Sequence, residues 1–472
     1  MTSAEMAIPE AAALRLDVDA ANPLPPIRPP AEVSTLRLLR AFRSDLLAAF
    51  SADAYLQLRV TFRRLGRQFV VLSDPDDINH VLNTHLDHYQ PNVLAQRLLE
   101  PIVGRGLVLA EGAEWEQQHR QLIPVFQPRH IDRLVPAFHV TADAHVTSWL
   151  NGMEKGHVAE RNLLVDFRRL TLAVIARSML SIEDETRTAQ LADFASQAES
   201  AGALLRWQDY VALLAWKNIA QPAERLDVGA RWRAWVGGLL DQRPPIDDVE
   251  QARDMLDLLR AARDGASGAP LPRALIVDQI GTMLAAGFAT TALGLYWTAV
   301  MLALFPEHQE AVRRELCQGP IDAPPDFAAL RASRVATAFL YESLRLYPPA
   351  YIIAREARQE DRIGDFVIPR GAAVIIAPWL VHRHAALWPH PHRFDPGRFL
   401  QAGRITLPKA WMAFGSGPRV CIGAAFATME ILVILRCLLG RYRISLADPA
   451  PSAVGRVTLL PDTQPVFRLT PL

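Results

Sequence analysis

Cys421 is the residue with the most chemistry in its surroundings. It lies near the end of the run Phe414-Gly415-Ser416-Gly417-Pro418-Arg419-Val420-Cys421-Ile422-Gly423. The glycines and the proline predict a tight loop, and the apolar stretch from about Ala424 to Leu439 predicts a helix directly after it. Cys421 then stands at a helix N-terminus. Free backbone N–H groups and the positive end of the helix dipole favour a thiolate there. A thiolate is a strong electron donor to iron. The plainer reading is a buried structural cysteine beside a glycine-rich turn. Cys317 and Cys437 have no such context and read as inert structural thiols.

The spacing F-x-x-G-x-R-x-C-x-G resembles the haem-ligand signature of the cytochrome P-450 superfamily. The resemblance implies that Cys421 binds the iron of haem b, that Phe414 shields the sulfur, and that Arg419 meets a haem propionate. Gly417 is the loop glycine of the signature, and Gly423 lets the helix pass close to the macrocycle. Other segments fall in the family's order. Glu342-Ser343-Leu344-Arg345 puts an acid and a base on one helix face. A surface salt bridge is one reading of such a pair, but the apolar flanks in FLYESLRLYPP favour a buried one. The resemblance makes it the family's E-x-x-R pair, completed by Arg398 in Phe394-Asp395-Pro396-Gly397-Arg398-Phe399. This triad supports the cysteine loop rather than the chemistry. Trp115-Glu116-Gln117-Gln118-His119 is a looser match to a W-x-x-x-R helix that holds a propionate. Histidine replaces arginine at 119 but can still donate to a carboxylate. Arg355, after Pro348-Pro349, resembles another propionate ligand.

Gly281 to Phe305 carries no charge and is long enough to span a bilayer, yet it stands alone without flanking basic clusters. It is expected to be a helix buried in a large core. Within it, Ala286-Gly287-Phe288-Ala289-Thr290-Thr291 resembles the family's oxygen-activating pattern A/G-G-x-D/E-T-T. Thr290 is expected to bond back to a carbonyl one turn earlier, loosening the helix and opening a groove beside the iron with Gly287. The resemblance gives Thr290 a part in proton delivery. Ala289 occupies the position of the family's proton-relaying acid. Asp278, the nearest upstream acid, is about 16 Å away along a helix and cannot replace it directly. Proton delivery is therefore expected to be rerouted.

Family topology places substrate contacts in a loop from about Asn92 to Val108, on the oxygen helix, after Pro349 and near the C-terminus. The candidates are Leu94, Leu98, Val103, Leu107, Met283, Ala286, Tyr351, Ile352, Ile353 and Leu459. Their apolar character points to a hydrophobic substrate such as a terpenoid, steroid or fatty acyl chain. His382, His384, His390 and His392 form two H-x-H pairs that could chelate a metal if extended. The resemblance assigns them instead to an irregular surface meander.

The remaining sequence bounds these expectations. The chain has 472 residues, with Lys+Arg and Asp+Glu at 50 each, which argues against an electrostatic nucleic-acid binder. The odd count of 3 cysteines, with no C-x-x-C pair, suits a reducing cytoplasm better than a disulfide framework. No signal peptide or N-terminal membrane anchor is expected. A proline-rich arm is expected over residues 1–35, and one haem-thiolate monooxygenase domain over 36–472. Hairpins are predicted at Leu56–Phe62 with Gln68–Ser73, and at Ile363–Ile368 with Ala372–Ala377. Asp74 should cap a helix with Pro75 in its first turn. The stretch from about Pro136 to Arg260 reads as helical, and Arg260–Pro272 contains the main internal loop. The fold class is mostly α with a small β portion. The resemblance specifies it as the family fold, with haem between the oxygen helix and the cysteine-loop helix.

Only a short stretch follows Cys421, so a separate donor is expected: a ferredoxin or flavodoxin-type protein with its reductase. The function implied is oxidation of a hydrophobic small molecule with O2. The missing acid at 289 motivates a second option, a peroxide-using or isomerising haem-thiolate enzyme. A non-catalytic haem-binding sensor is the option from another class.

Overall fold

The computed structural model describes residues 23–27, 29–64, 66–149, 158–203, 208–209, 219–244, 246, 249–263 and 268–472. Helices form most of it. The central one runs from Arg273 to Leu304, 32 residues, and is buried over most of its circumference. Its lack of a polar face is what places it inside: every side of it needs an apolar partner. It packs along the helix Leu163–Leu180 and against Val93–Val103, Ala223–Asp241 and Arg334–Leu346. The cysteine-loop helix, Ala424–Leu439, is likewise mostly buried and lies against Pro128–Ser148.

The β portion is gathered in small sheets. The largest has five strands in the order β1-β2-β8-β5-β3, with β1 Arg59–Arg64, β2 Arg67–Leu72, β3 Tyr89–Pro91, β5 Ile353–Ala357 and β8 Ala373–Ile376. β1 and β2 form the first predicted hairpin, turning at Gly66 with φ +76°. β1 is an edge strand and alternates in exposure, while β2 is buried almost throughout. Asp74 accepts from the N–H of Asp76 at 2.8 Å and caps the next helix, with Pro75 at its first position.

Three expectations need correction. The second hairpin joins β6 (Asp361–Ile363) to β7 (Phe366–Ile368), turning at Gly364 with φ +60°. The run Ala372–Ala377 supplies β8, which pairs parallel with β2 and antiparallel with β5. Its Val374 and Ile376 are fully buried, the pattern of an interior strand rather than one arm of a surface hairpin. Among the described residues after Pro136 the segment is mostly helical, but it includes a three-residue strand, β4 Ala159–Arg161, which pairs with β14 (Phe467–Pro471) in a sheet with β11 (Tyr442–Leu446). The substrate segment Asn92–Val108 is largely the helix Val93–Val103 rather than a loop, because Asn92 caps it by accepting from Leu94 N–H at 2.9 Å.

Candidate functional site

The cysteine loop owes its shape to two glycines. Gly415 and Gly417 have φ +83° and +72°, the region that side chains avoid. A Cβ at Gly417 would also overlap the Leu82 carbonyl oxygen. The loop folds back so that Cys421 N–H donates to Phe414 O at 2.8 Å, and the helix begins at Ala424. Cys421 is surrounded by protein, enough to desolvate its thiol, yet the residue keeps an accessible face. Phe414 sits beside it, half-buried, with its ring edge-on to Trp411 at 5.9 Å. The Gly423 N–H favours the Cys421 thiolate, in the direction expected of a helix start, but burial outweighs it and pushes the thiol up. Metal coordination, which deprotonates a thiol outright, is what would reverse the balance.

Cations converge beside this loop. Arg419 donates to Ala110 O at 2.8 Å, and its guanidinium lies 4.7 Å over the Trp115 ring. Trp115 stacks on His119 with centroids 4.7 Å apart. Burial, with Arg355 nearby, pushes Arg419 down to about 10. Burial also lowers Arg355. Burial and Arg419 lower His119, leaving its imidazole a neutral donor at pH 7. Glu111 acts on both arginines from a distance but is ion-paired with Arg358. Two neighbouring desolvated guanidiniums without a carboxylate of their own are costly, and a ligand bearing two carboxylates answers both.

These residues fit a haem. At Gly423 an added Cβ would meet only ordinary contacts, Cys421 Sγ and Phe126 at 3.9 Å, so protein packing does not demand the glycine. On the central helix, Ala286 is exposed and Thr290 half-buried in a stretch whose neighbours Leu284, Phe288 and Ala289 are buried. The open faces of Ala286 and Thr290, the sulfur and the unanswered cations are the features a flat, iron-bearing dicarboxylate requires.

On the central helix, Thr290 Oγ1 donates to Ala286 O at 2.5 Å, with Gly287 O at 3.4 Å. The predicted back-bond is therefore present. It sits within a helix that is continuous from Arg273 to Leu304. Gly287 behaves differently from expectation. A side chain there would meet Ile175 Cδ1 at 3.3 Å, so the glycine lets the helix Leu163–Leu180 approach. From that helix Thr171 Oγ1 reaches Phe288 O at 3.2 Å. Ala289 is buried. Asp278 accepts from Arg105 N–H at 3.0 Å and is tied to the end of the helix Val93–Val103.

Glu342, Arg345 and Arg398 meet in the interior. Arg345 binds Glu342 through two bonds of 2.6 and 2.8 Å, and Arg398 Nε donates to Glu342 at 3.3 Å. Arg345 also donates to the carbonyls of His382, Pro391 and Arg393, at 2.6, 2.8 and 3.1 Å. The triad thus staples the meander that leads to the cysteine loop. His382 is part of the staple: its Nδ1 pairs with Arg345 O at 2.8 Å and its Nε2 accepts from Met412 N–H at 2.9 Å. With both nitrogens engaged it is no metal ligand, and no metal-binding cluster occurs among the described residues.

The substrate candidates divide. Leu94, Leu98, Leu107, Ile352 and Ile353 are half-buried, Ala286 is exposed and Met283 nearly buried. Val103, Tyr351 and Leu459 are fully packed into protein instead. Tyr351 donates its hydroxyl to Arg456 O at 2.5 Å, with its ring against Gly455. These three are core residues, and the sequence pattern of apolar positions could not separate them from a pocket wall. A buried amide pair escaped the sequence reading altogether. Gln279 donates to Gln118 at 2.7 Å, Gln118 to Arg105 O at 2.9 Å, and Leu107 N–H to Gln279 at 3.1 Å. It fixes the Trp115 helix to the central helix. The only signal for it is a glutamine in each apolar helix face, which is weak.

Comparison with known proteins agrees with this arrangement. The family model described as cytochrome P-450 matches residues 56–463. Cyclooctatin synthase of Streptomyces melanosporofaciens is 28% identical over 81% of this chain and 82% of its own. The 11-oxo-beta-amyrin 30-oxidase of Glycyrrhiza uralensis is 25% identical over 80% of this chain and 74% of its own. Among solved structures, a cytochrome P-450 (CYP102L1) superposes with TM-score 0.78 at 22% identity, covering 94% of this chain and 98% of that one. The retinoic acid bound cyanobacterial CYP120A1 gives TM-score 0.73 at 22% identity, covering 88% and 92%. The chain belongs to the cytochrome P-450 family, and is a haem-thiolate oxidoreductase of the monooxygenase type.

Proposed function

We propose that the chain hydroxylates or otherwise oxidises a hydrophobic small molecule, with electrons from a separate ferredoxin- or flavodoxin-type donor and its reductase. The cofactor is haem b, held by Cys421 and anchored by Arg355, Arg419 and His119, with Trp115 and Phe414 beside it. Residues 36–472 act as one catalytic unit, residues 1–35 as an arm, and the setting is the cytoplasm. The observation that carries this reading is an accessible Cys421 in a protein interior that also holds two unanswered guanidiniums.

When bound, the haem supplies oxygen activation: one atom of O2 enters the substrate and the other leaves as water, with two electrons and two protons taken up. The chain's own residues do the rest. Leu94, Leu98, Leu107, Met283, Ile352 and Ile353 exclude water and favour an apolar substrate. Thr290 Oγ1 holds its proton on Ala286 O, the carbonyl of the preceding turn. Since Ala289 has no carboxyl to pass protons on, water held at Thr290 Oγ1 takes that part. Arg419 and Arg355 would hold the propionates of the haem through charge-assisted bonds.

Replacing Thr290 with alanine tests this. Product formed per NAD(P)H consumed should fall several-fold, with hydrogen peroxide released in its place. Unchanged coupling would refute the role of Thr290. The alanine at 289 also favours a second reading, a peroxide-using or isomerising enzyme. Product formed from hydrogen peroxide alone, without a reductase, would select it.

A further inference from the structure

The proline-rich residues before the first helix wall one side of a cavity of about 200 Å³, together with Leu346, Tyr347, Trp379, Arg383 and Ala453. It shares no lining residue with the haem site. Arg383 is 4% exposed. Its Nη2 donates to Leu346 O, and its guanidinium lies 3.5 Å over the Trp379 ring, which is itself held by a 2.8 Å bond to Tyr55. The Nε and Nη1 hydrogens of Arg383 have no acceptor. Burial pushes this guanidinium down to about 9, so it stays charged at neutral pH. A buried cation with idle donors carries a large penalty unless an anion meets it.

The other ionisable groups on the wall leave that need unmet. Asp45 accepts from Leu47 N–H at 3.0 Å and Gly455 N–H at 2.8 Å. It makes no ion pair with Arg383. His392 is held down to about 4 by burial and by Arg383 and Arg345, and is neutral. Arg37 adds a second, exposed cation.

We propose that this cavity binds a small organic monocarboxylate, with its carboxylate on Arg383 and its apolar body against Trp379 and the proline rings. One buried cation beside the Trp379 ring and the prolines matches a single negative charge on an apolar body better than hydrated phosphate. The volume equals that of about seven waters at ~30 Å³ each, room for a molecule the size of benzoate.

Benzoate is titrated calorimetrically into the haem-loaded protein with imidazole saturating the iron, so that heat from the substrate side is suppressed. Saturable binding is expected. Ala453→Leu fills the cavity without touching Arg383 and should weaken it at least tenfold, as should Arg383→Met. If Arg383→Met does not fold, Ala453→Leu decides. Absence of heat, equal affinity in the folded variants, or phosphate binding as tightly as benzoate would overturn the assignment.

Discussion

Arg355 and Arg419 are held close together in a desolvated setting with no carboxylate of the protein paired to either. Their use follows from that: each should contribute a charge-assisted bond to a haem propionate, of about 1.5–3 kcal/mol. Arg355→Met and Arg419→Met should each speed haem transfer to a scavenger protein about tenfold or more. A wild-type rate in both would remove them from the site. Glu430 makes a different prediction. Neither of its carboxyl oxygens has a partner, and burial holds the group well above the usual glutamate range. The folded chain therefore keeps a proton that the unfolded chain releases from about pH 4 upward. That stabilisation is complete at low pH and falls as pH rises, by about 1.4 kcal/mol per pH unit. Glu430→Gln should melt above wild type at pH 8, with the gap closing toward pH 5. A gap independent of pH would contradict it. At this scale the sequence was most legible where chemistry fixes spacing, as in the run from Phe414 to Gly423. It was silent on the direction of the missing Cβ of Gly287, which depends on how the helix is rotated in its packing.

Elements carry the site through the triad. Glu342 is fully buried and receives Arg345, Arg398 and the Asp395 N–H, the last at 2.8 Å. Removing its charge leaves two guanidiniums facing only carbonyls, a loss of about 3–5 kcal/mol. Glu342→Ala should lower the melting temperature markedly and reduce the haem-loaded fraction on purification. A wild-type melting curve would show that the meander needs no such staple. The Glu342–Arg345 pair was legible because an acid and a base three residues apart in an apolar helix have few alternatives to pairing, while Arg398 entered only through the family resemblance. The partner of β8 was not legible. A short apolar run next to a Pro-Arg-Gly turn suits a hairpin locally, and only pairing with β2, some three hundred residues earlier, decides otherwise. Likewise the loop at Asn92–Val108 came from the family's topology, whereas in this chain Asn92 caps the helix Val93–Val103 there.

The whole molecule is arranged around two apolar helices. Arg273–Leu304 and the stretch Gly417–Leu439, which contains the helix Ala424–Leu439, are both long and apolar enough to cross a bilayer, yet 78% and 72% of their most apolar windows are buried within the fold. Each covers the other's neighbours, so neither needs lipid. Haem-loaded protein should accordingly be recovered from cells without detergent. Recovery only in the membrane fraction would contradict the buried-helix account. The architecture was readable because its motifs occur in order along the chain. The cavity beneath the proline-rich arm was not, since residues near 25, 347, 383 and 453 meet only after folding.

The account turns on the Cys421 sulfur as the axial ligand of iron. Carbon monoxide is added to the reduced, haem-loaded wild type and Cys421→Ser proteins, and their absorption spectra are compared. The wild type should give the strongly red-shifted band of thiolate ligation, and the variant should retain haem but lose that band. Identical spectra from the two proteins, or a wild type that takes up no haem, would contradict it.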